Sequence, residues 1–193
     1  MYISAELFSF FGACNETLER LHKRIGNQTM TLQQFLKKAH IQSDDYGDLI
    51  WYAKKCGASE KDIIGLGVRA AALTLGEFES VLPNDKRPRQ ALEIAGSFCR
   101  QEVIETSLSV MRSVGASRAG RIAWEMKEYG ASAAAISTAR LAWATWVMGK
   151  KPEAAEEMVL KVITYVSACS YSNERRVKRF FSELFEKVDN EWI

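Results

Sequence analysis

Residue types able to do chemistry are thinly spread along this sequence. The two histidines, His22 and His40, have no Cys, Asp or Glu at metal-ligand spacing, and neither HExxH nor a nucleophile elbow occurs. Asp44, Asp45 and Asp48 lack the glycine and closing glutamate of a calcium loop, so their spacing reads as the start of a helix. Gly115-Ala-Ser-Arg-Ala-Gly120 has the spacing of a phosphate loop, but Arg121-Ile122 follows it in place of Lys and Ser or Thr. Gly65-Leu-Gly67 falls inside a helical pattern, where a dinucleotide fingerprint has no strand to follow. The expectation is a protein that is not an enzyme and that uses no metal or cofactor.

Two basic features remain. Asp85, Lys86, Arg87 and Arg89 crowd a turn beside Pro88, which suits the first turn of a helix. Positive charge is disfavoured at a helix start, so this corner needs negative partners. Either carboxylates such as Glu79 or Glu93 supply them, or an acidic protein partner does, since an arginine fork suits both. The second feature is Arg175-Arg-Val-Lys-Arg179. Arg175, Arg176, Lys178 and Arg179 fit a solvated helix face, an acidic partner or the phosphates of a nucleic acid, with Glu174, Glu183 and Glu186 weighing against the last. A third cluster, Trp124, Trp143 and Trp146, has the helical spacing of core packing, with an aromatic ligand pocket as the other reading.

The elements that must position these groups read as helices. Asn15 is expected to cap a helix from Glu16 to Ile25 that Gly26 stops. Thr31 and Gln34 have the capping-box form and open a helix through Ala39. Another helix carries Leu49, Ile50, Trp51 and Ala53 and stops at Gly57. The run Leu7 to Phe11 is too short for periodicity to decide between strand and helix. Ser59 caps a long helix through Leu82, followed by one from Pro88 that buries Leu92, Ala95 and Cys99. After Glu105 a short helix presents Leu108, Met111 and Val114 inward and stops at Gly115. Ser117 caps the next, with Ile122, Ala123, Met126 and Tyr129 inward and Gly130 as its stop. A helix from Ser132 to Gly149, one from Pro152 and one from about Asn173 complete the chain. Arg121-Ile-Ala-Trp124 and Arg140-Leu-Ala-Trp143 echo each other, which predicts both tryptophans in one core and both arginines outside. The predicted fold is all-α: a compact multi-helix bundle of antiparallel helical hairpins over residues 58–193, with a small N-terminal helical module over residues 1–57.

Composition bounds the function. With 193 residues, 47% of them hydrophobic, a core needs no staples. A net charge of +2 argues by itself for neither nucleic acid nor membrane. Cys14, Cys56, Cys99 and Cys169 lie far apart and read as buried free thiols in a reducing cytoplasm. No apolar run reaches the roughly 20 residues of a membrane span. Glu6 stands where an export signal would be basic, so a cytoplasmic location is expected.

The corner also carries a family likeness. Phe-Glu-Ser-Val-Leu-Pro (Phe78 to Pro83), then Asn-Asp-Lys-Arg-Pro-Arg-Gln-Ala-Leu-Glu (Asn84 to Glu93), then alanine-rich helices, resembles immunity proteins encoded with bacterial toxins. The likeness covers about Asp48 to Gly149, and its specific core is Asp85, Arg87, Pro88, Arg89 and Ala91. Where such relatives favour alanine and histidine, this chain has Trp124, Trp143 and Trp146. The opening module, with Phe11-Gly-Ala-Cys-Asn15, Thr31-Leu32 and Asp48-Leu-Ile-Trp-Tyr-Ala53, is similar to that of small bacteriophage accessory proteins. The resemblance implies a phage- or mobile-element-borne inhibitor that neutralises a toxin or a bacterial defence protein by contact, with Asp85, Lys86, Arg87 and Arg89 at the interface. Nucleic-acid binding through Arg175 to Arg179 is the alternative.

Overall fold

The helix starts at Thr31, Ser59, Pro88 and Pro152 follow from the caps and prolines just named, whereas Asn15, Ser117 and Ser132, expected as caps, lie inside their helices. The computed structural model describes residues 1–38, 43–102 and 104–190; Ala39 and His40 lie outside them. Among the described residues, eleven helices and one two-strand ladder are present, and the fold is all-α as expected. The chain divides into two units, Met1–Ala58 together with the chain from Phe181 onward, and Ser59–Phe180. The sequence boundary at residue 57 falls within one residue of the first break. The C-terminal segment, expected in the larger bundle, instead groups with the N-terminal unit because its apolar residues pack there.

In that first unit, β1 (Tyr2–Ile3) pairs antiparallel with β2 (Met30–Thr31), Tyr2 opposite Thr31 and Ile3 opposite Met30. The undecided apolar run is a helix, α1 (Ala5–Phe10), because Ser4 caps it by accepting from the Leu7 N–H at 3.1 Å. Helix α2 (Asn15–Ile25) ends at Gly26, at φ +61°. Thr31 and Gln34 form the reciprocal capping box of α3 (Leu32–Lys38), at 2.8 and 3.2 Å. Helix α4 (Ser43–Lys55) carries the three aspartates, and two of them are taken by arginines of α2. Arg24 meets the buried Asp45 at 2.5 Å, and Arg20 meets Asp48 at 2.8 Å. Phe8 stacks on Tyr52 with ring centroids 4.5 Å apart, while Tyr46 stacks on Phe181 and Tyr52 meets Phe185. Those last two rings are what bind the C-terminal segment to this unit.

The second unit is the multi-helix bundle. Ser59 and Asp62 form a full capping box at the start of α5 (Glu60–Ala72). The expected long helix breaks after Ala72, where the buried Thr74 turns its hydroxyl onto the Ala71 carbonyl at 3.3 Å and α6 (Leu75–Val81) begins. Next come α7 (Arg87–Cys99), α8 (Thr106–Glu125), α9 (Tyr129–Met148), α10 (Pro152–Cys169) and α11 (Tyr171–Asn190), whose first half closes this unit. Helix α9 lies at the centre, against α5, α6, α7, α8 and α10. It buries a nearly continuous run of small residues: Ala131, Ser132, Ala134, Ala135, Ser137, Thr138, Ala139, Ala142 and Ala144.

Helix α8 departs most from expectation. Gly115 does not stop it; the helix runs unbroken through Gly115 and Gly120. It ends at a turn in which the Lys127 N–H bonds the Trp124 carbonyl and the Glu128 N–H bonds the Ala123 carbonyl, both at 2.9 Å. That hydrogen-bond pair is the Schellman pattern, with Lys127 at φ +65° where glycine is the usual occupant. Gly130, expected as the stop, lies in the first turn of α9, with a Glu77 carboxylate oxygen 2.9 Å from where its Cβ would be. The inward residues also differ. Ser109, Ser113, Ala116, Ala119, Gly120 and Ala123 are buried, whereas Met111, Val114, Ile122, Trp124, Met126 and Tyr129 are exposed. A Cβ on Gly120 would lie 3.0 Å from the Ser132 carbonyl oxygen and 3.0 Å from Ile136, so only small side chains fit between these helices.

Two substitutions in this hairpin have opposite expected signs. Gly120→Val overpacks the contact and lowers stability by about 1–3 kcal/mol. Lys127→Gly relieves the left-handed backbone and raises stability by roughly 0.5–1 kcal/mol. Urea unfolding followed by far-UV circular dichroism measures both.

Candidate protein-binding surface

The corner singled out in the sequence is built from the end of α6, a turn and the start of α7. Asp85 precedes the helix, and its carboxylate accepts from the Arg87 backbone N–H at 3.1 Å, satisfying one of the free donors of the first turn. The same carboxylate receives the Arg87 guanidinium through Nε at 2.9 Å and through Nη2 at 2.5 Å. Arg89 forms a two-point pair with Glu79 of α6, at 2.6 and 2.7 Å. Lys86 donates to the Pro83 carbonyl at 2.7 Å. Each of the three cations therefore has an acceptor within the corner. Of the two carboxylates named in the sequence reading, Glu79 is the one that pairs. An open depression of about 580 Å³ lies beside it, lined by Leu82, Pro83, Asn84, Asp85, Lys86, Arg87 and Gln90.

The corner also sets the position of α8. The aliphatic stem of Arg87 lies over Gly115, 3.7–3.9 Å from where a Cβ would be, and Arg112 of α8 donates to Gln90 of α7. Arg87 thus joins its own helix start to the middle of α8. Bonding to Arg87 holds the Asp85 carboxyl below the usual carboxylate range, and bonding to Arg89 does the same for Glu79.

The basic run on α11 is less available than its sequence implies. Arg175 and Arg176 are exposed. Lys178 is tied to Glu174 at 2.7 Å, and Arg179 has a partner of its own. The tryptophans do not share a core either. Trp124 is 59% exposed and packs edge-on to Tyr129, while Trp143 and Trp146 are half-buried, 4.6 Å apart, with the Lys150 ammonium over Trp146. Arg121 is exposed and paired with Glu125, but Arg140 is half-buried. Repetition of the tetrapeptide therefore does not place equivalent residues in equivalent environments.

The cysteines also differ from expectation. All four are free, but only Cys56 is buried; Cys99 is partly covered and Cys14 and Cys169 are exposed. Burial pushes the Cys99 thiol up to about 11, and desolvation raises Cys169 although Tyr165 bonds it. Hydrogen bonding to Thr17 lowers Cys14, which stands alone at the start of α2. Among the described residues no group of three or more His, Cys, Asp or Glu is placed to hold a metal ion. No helix among them is long and apolar enough to cross a membrane.

The surface that sequence reasoning missed is the outer face of α8. Six of the eight large apolar side chains most open to solvent among the described residues fall between Met111 and Tyr129. Met111, Val114 and Ile122 follow one another at helical spacing, with Arg118 between them and Arg121 alongside. Exposed apolar residues scattered singly are ordinary, but a stripe of them on one helix is not. The signal in the sequence was the second, small-residue stripe with the same period: Ser109, Ser113, Ala116, Gly120 and Ala123. Comparison of the chain with protein-family models, with curated proteins and with solved structures finds no match. The likeness to immunity proteins therefore rests on the residues quoted for it.

The corner generates a stability prediction with a pH signature. Asp85→Ala removes a helix-start acceptor and the partner of Arg87, and lowers stability by about 1–2 kcal/mol at neutral pH. Because the folded-state pKa of Asp85 is lowered, its contribution is complete above the ordinary carboxylate value of about 4 and is lost as pH falls through the lowered value. Thermal unfolding across an acid series then shows a shallower acid-side decline for the variant than for the wild type.

Proposed function

We propose that this chain is a non-enzymatic inhibitor that neutralises another protein by covering part of its surface. The observation that carries this reading is the stripe of Met111, Val114 and Ile122 on α8, with Trp124, Met126 and Tyr129 also exposed where that helix ends. Large apolar anchors with arginines beside them are the usual make-up of a protein-contacting patch. A stable interface takes about 800 Å² from each partner, so the stripe would be joined by neighbouring polar surface. The resemblance at the corner supplies the class of target: a toxin or a component of a bacterial defence system, met in the cytoplasm, with the inhibitor carried by a phage or mobile element. In this reading Asp85, Lys86, Arg87 and Arg89 support the interface from within the corner, where their charged ends are engaged, and Arg87 with Asp85 holds α8 in position. The second reading, nucleic acid tracked by α11, has the exposed Arg175 and Arg176 in its favour.

The test is capture and inhibition. Immobilised wild-type chain is expected to retain a protein from bacterial lysate and to lower that protein's activity when added to it. Val114→Glu combined with Ile122→Glu is expected to weaken both effects about 100-fold or more, with helicity unchanged. Unchanged capture and inhibition by the double variant would remove the α8 stripe from the mechanism. Salt-sensitive retention of DNA, with no protein captured, would favour the α11 reading instead.

A further inference from the structure

The charge pattern on the α8 stripe is self-complementary. Arg118 and Glu125 both lie on its exposed face, seven residues apart, which is two helical turns or about 10 Å. Arg118 has no ion-pair partner among the described residues, and Glu125 makes only an exposed i,i+4 pair with Arg121 at 3.2 Å. Exposed pairs of this kind are weak, so Glu125 is readily shared with another cation. A positive and a negative group two turns apart match the same face of a second helix when the two run antiparallel. A wholly acidic partner helix would satisfy Arg118 but set a like charge against Glu125.

We infer that the α8 stripe is covered, in the absence of a target, by the α8 stripe of a second copy of this chain. The two helices run antiparallel about a two-fold axis passing between Arg121 and Ile122. Arg118 then faces Glu125 of the partner subunit, and the same pair recurs on the other side of the axis. Ile122 packs next to the axis, and Val114 lies toward the C-terminal end of α8 of the partner subunit. A contact of this kind is isologous, with the same patch used on both copies, and it closes without leaving a further surface to propagate. Met111 falls beyond the overlap and stays open. The register is set by the charges, because a shift of one turn separates Arg118 from Glu125 of the partner subunit on both sides of the axis. This rests on the reading of the stripe as the protein-contacting surface, and it adds a regulation of that surface: a target must displace the second copy to reach it.

Sedimentation velocity over a concentration series of the full chain tests the proposal. Wild type is expected to pass from monomer to dimer. Arg118→Glu and Glu125→Arg each place like charges opposite one another across the axis, and each is expected to weaken self-association about tenfold or more. Mixed in equal amounts, the two variants restore both ion pairs and are expected to form a heterodimer. A wild type that stays monomeric at every concentration would overturn the inference, and so would single variants that dimerise as the wild type does, or a mixture that remains monomeric. Far-UV circular dichroism of each variant alone separates lost pairing from lost fold, and the restored mixture is itself evidence that both are folded. Target capture is read separately with the wild-type chain. A monomeric protein that still captures its target would overturn self-association alone, and a dimer that captures nothing would overturn the inhibitor reading alone.

Discussion

The close approach of α8 to α9 is the constraint on which the second unit depends. Gly120 lies against the Ser132 carbonyl and Ile136, and Ala119 and Ala123 meet Ala131, Ala134 and Ala135 beneath Phe78. Ala116 meets Ala139 and Ala142 beside Ala91 of α7. Helices packed through alanine and glycine approach at the short end of the usual interaxial range, where no leucine or methionine has room. Each contact buries little area, and the gain comes from the number of atom pairs in close register. The necessary consequence is that the large apolar residues of α8 point away from the core.

This inversion connects the fold to the proposed function. A helix that buried Met111, Val114 and Ile122 would present serines and alanines to solvent and offer a partner nothing to hold. By burying its small face, α8 contributes to the core and still exposes an apolar stripe. The corner at Asp85 to Arg89 supports the arrangement from the side: the Arg87 stem occupies the space left by Gly115, and its guanidinium is fixed by Asp85. A charge cluster that resembles a binding site in sequence thus has an internal structural role, and the surface it helps to position carries no family-specific string.

What was legible in the sequence follows the range of each interaction. Helix starts were readable where a side chain or proline fixes them locally, at Ser59 with Asp62, Thr31 with Gln34, and Pro152 at the first position of α10; the starts expected at Ser117 and Ser132 fall inside α8 and α9. The partner of Arg89 was readable only as one of several candidates, among which the structure selects Glu79. Helix ends were legible only where glycine supplies them, as Gly26 does for α2. α7 and α8 instead end at Gln101 and Lys127 in the left-handed region, while Gly115 and Gly120 sit in mid-helix for close contact. The orientation of α8 was not readable from one helix alone. Its large and small residues form two stripes of equal period, and the choice between them is made by the alanine-rich face of α9. The placement of the last segment of α11 likewise depends on Tyr46 and Tyr52, far away in the chain.

Helix α8 turns its large apolar residues to solvent, and methionine oxidation reads this directly. In dilute native protein treated briefly with peroxide and mapped by mass spectrometry, Met111 and Met126 should oxidise fast, being 67% and 51% exposed. Met148 and Met30, at 1% and 7%, should oxidise slowly. If Met111 is as well protected as Met148, α8 is rotated to bury its large face, and the account of the stripe is wrong.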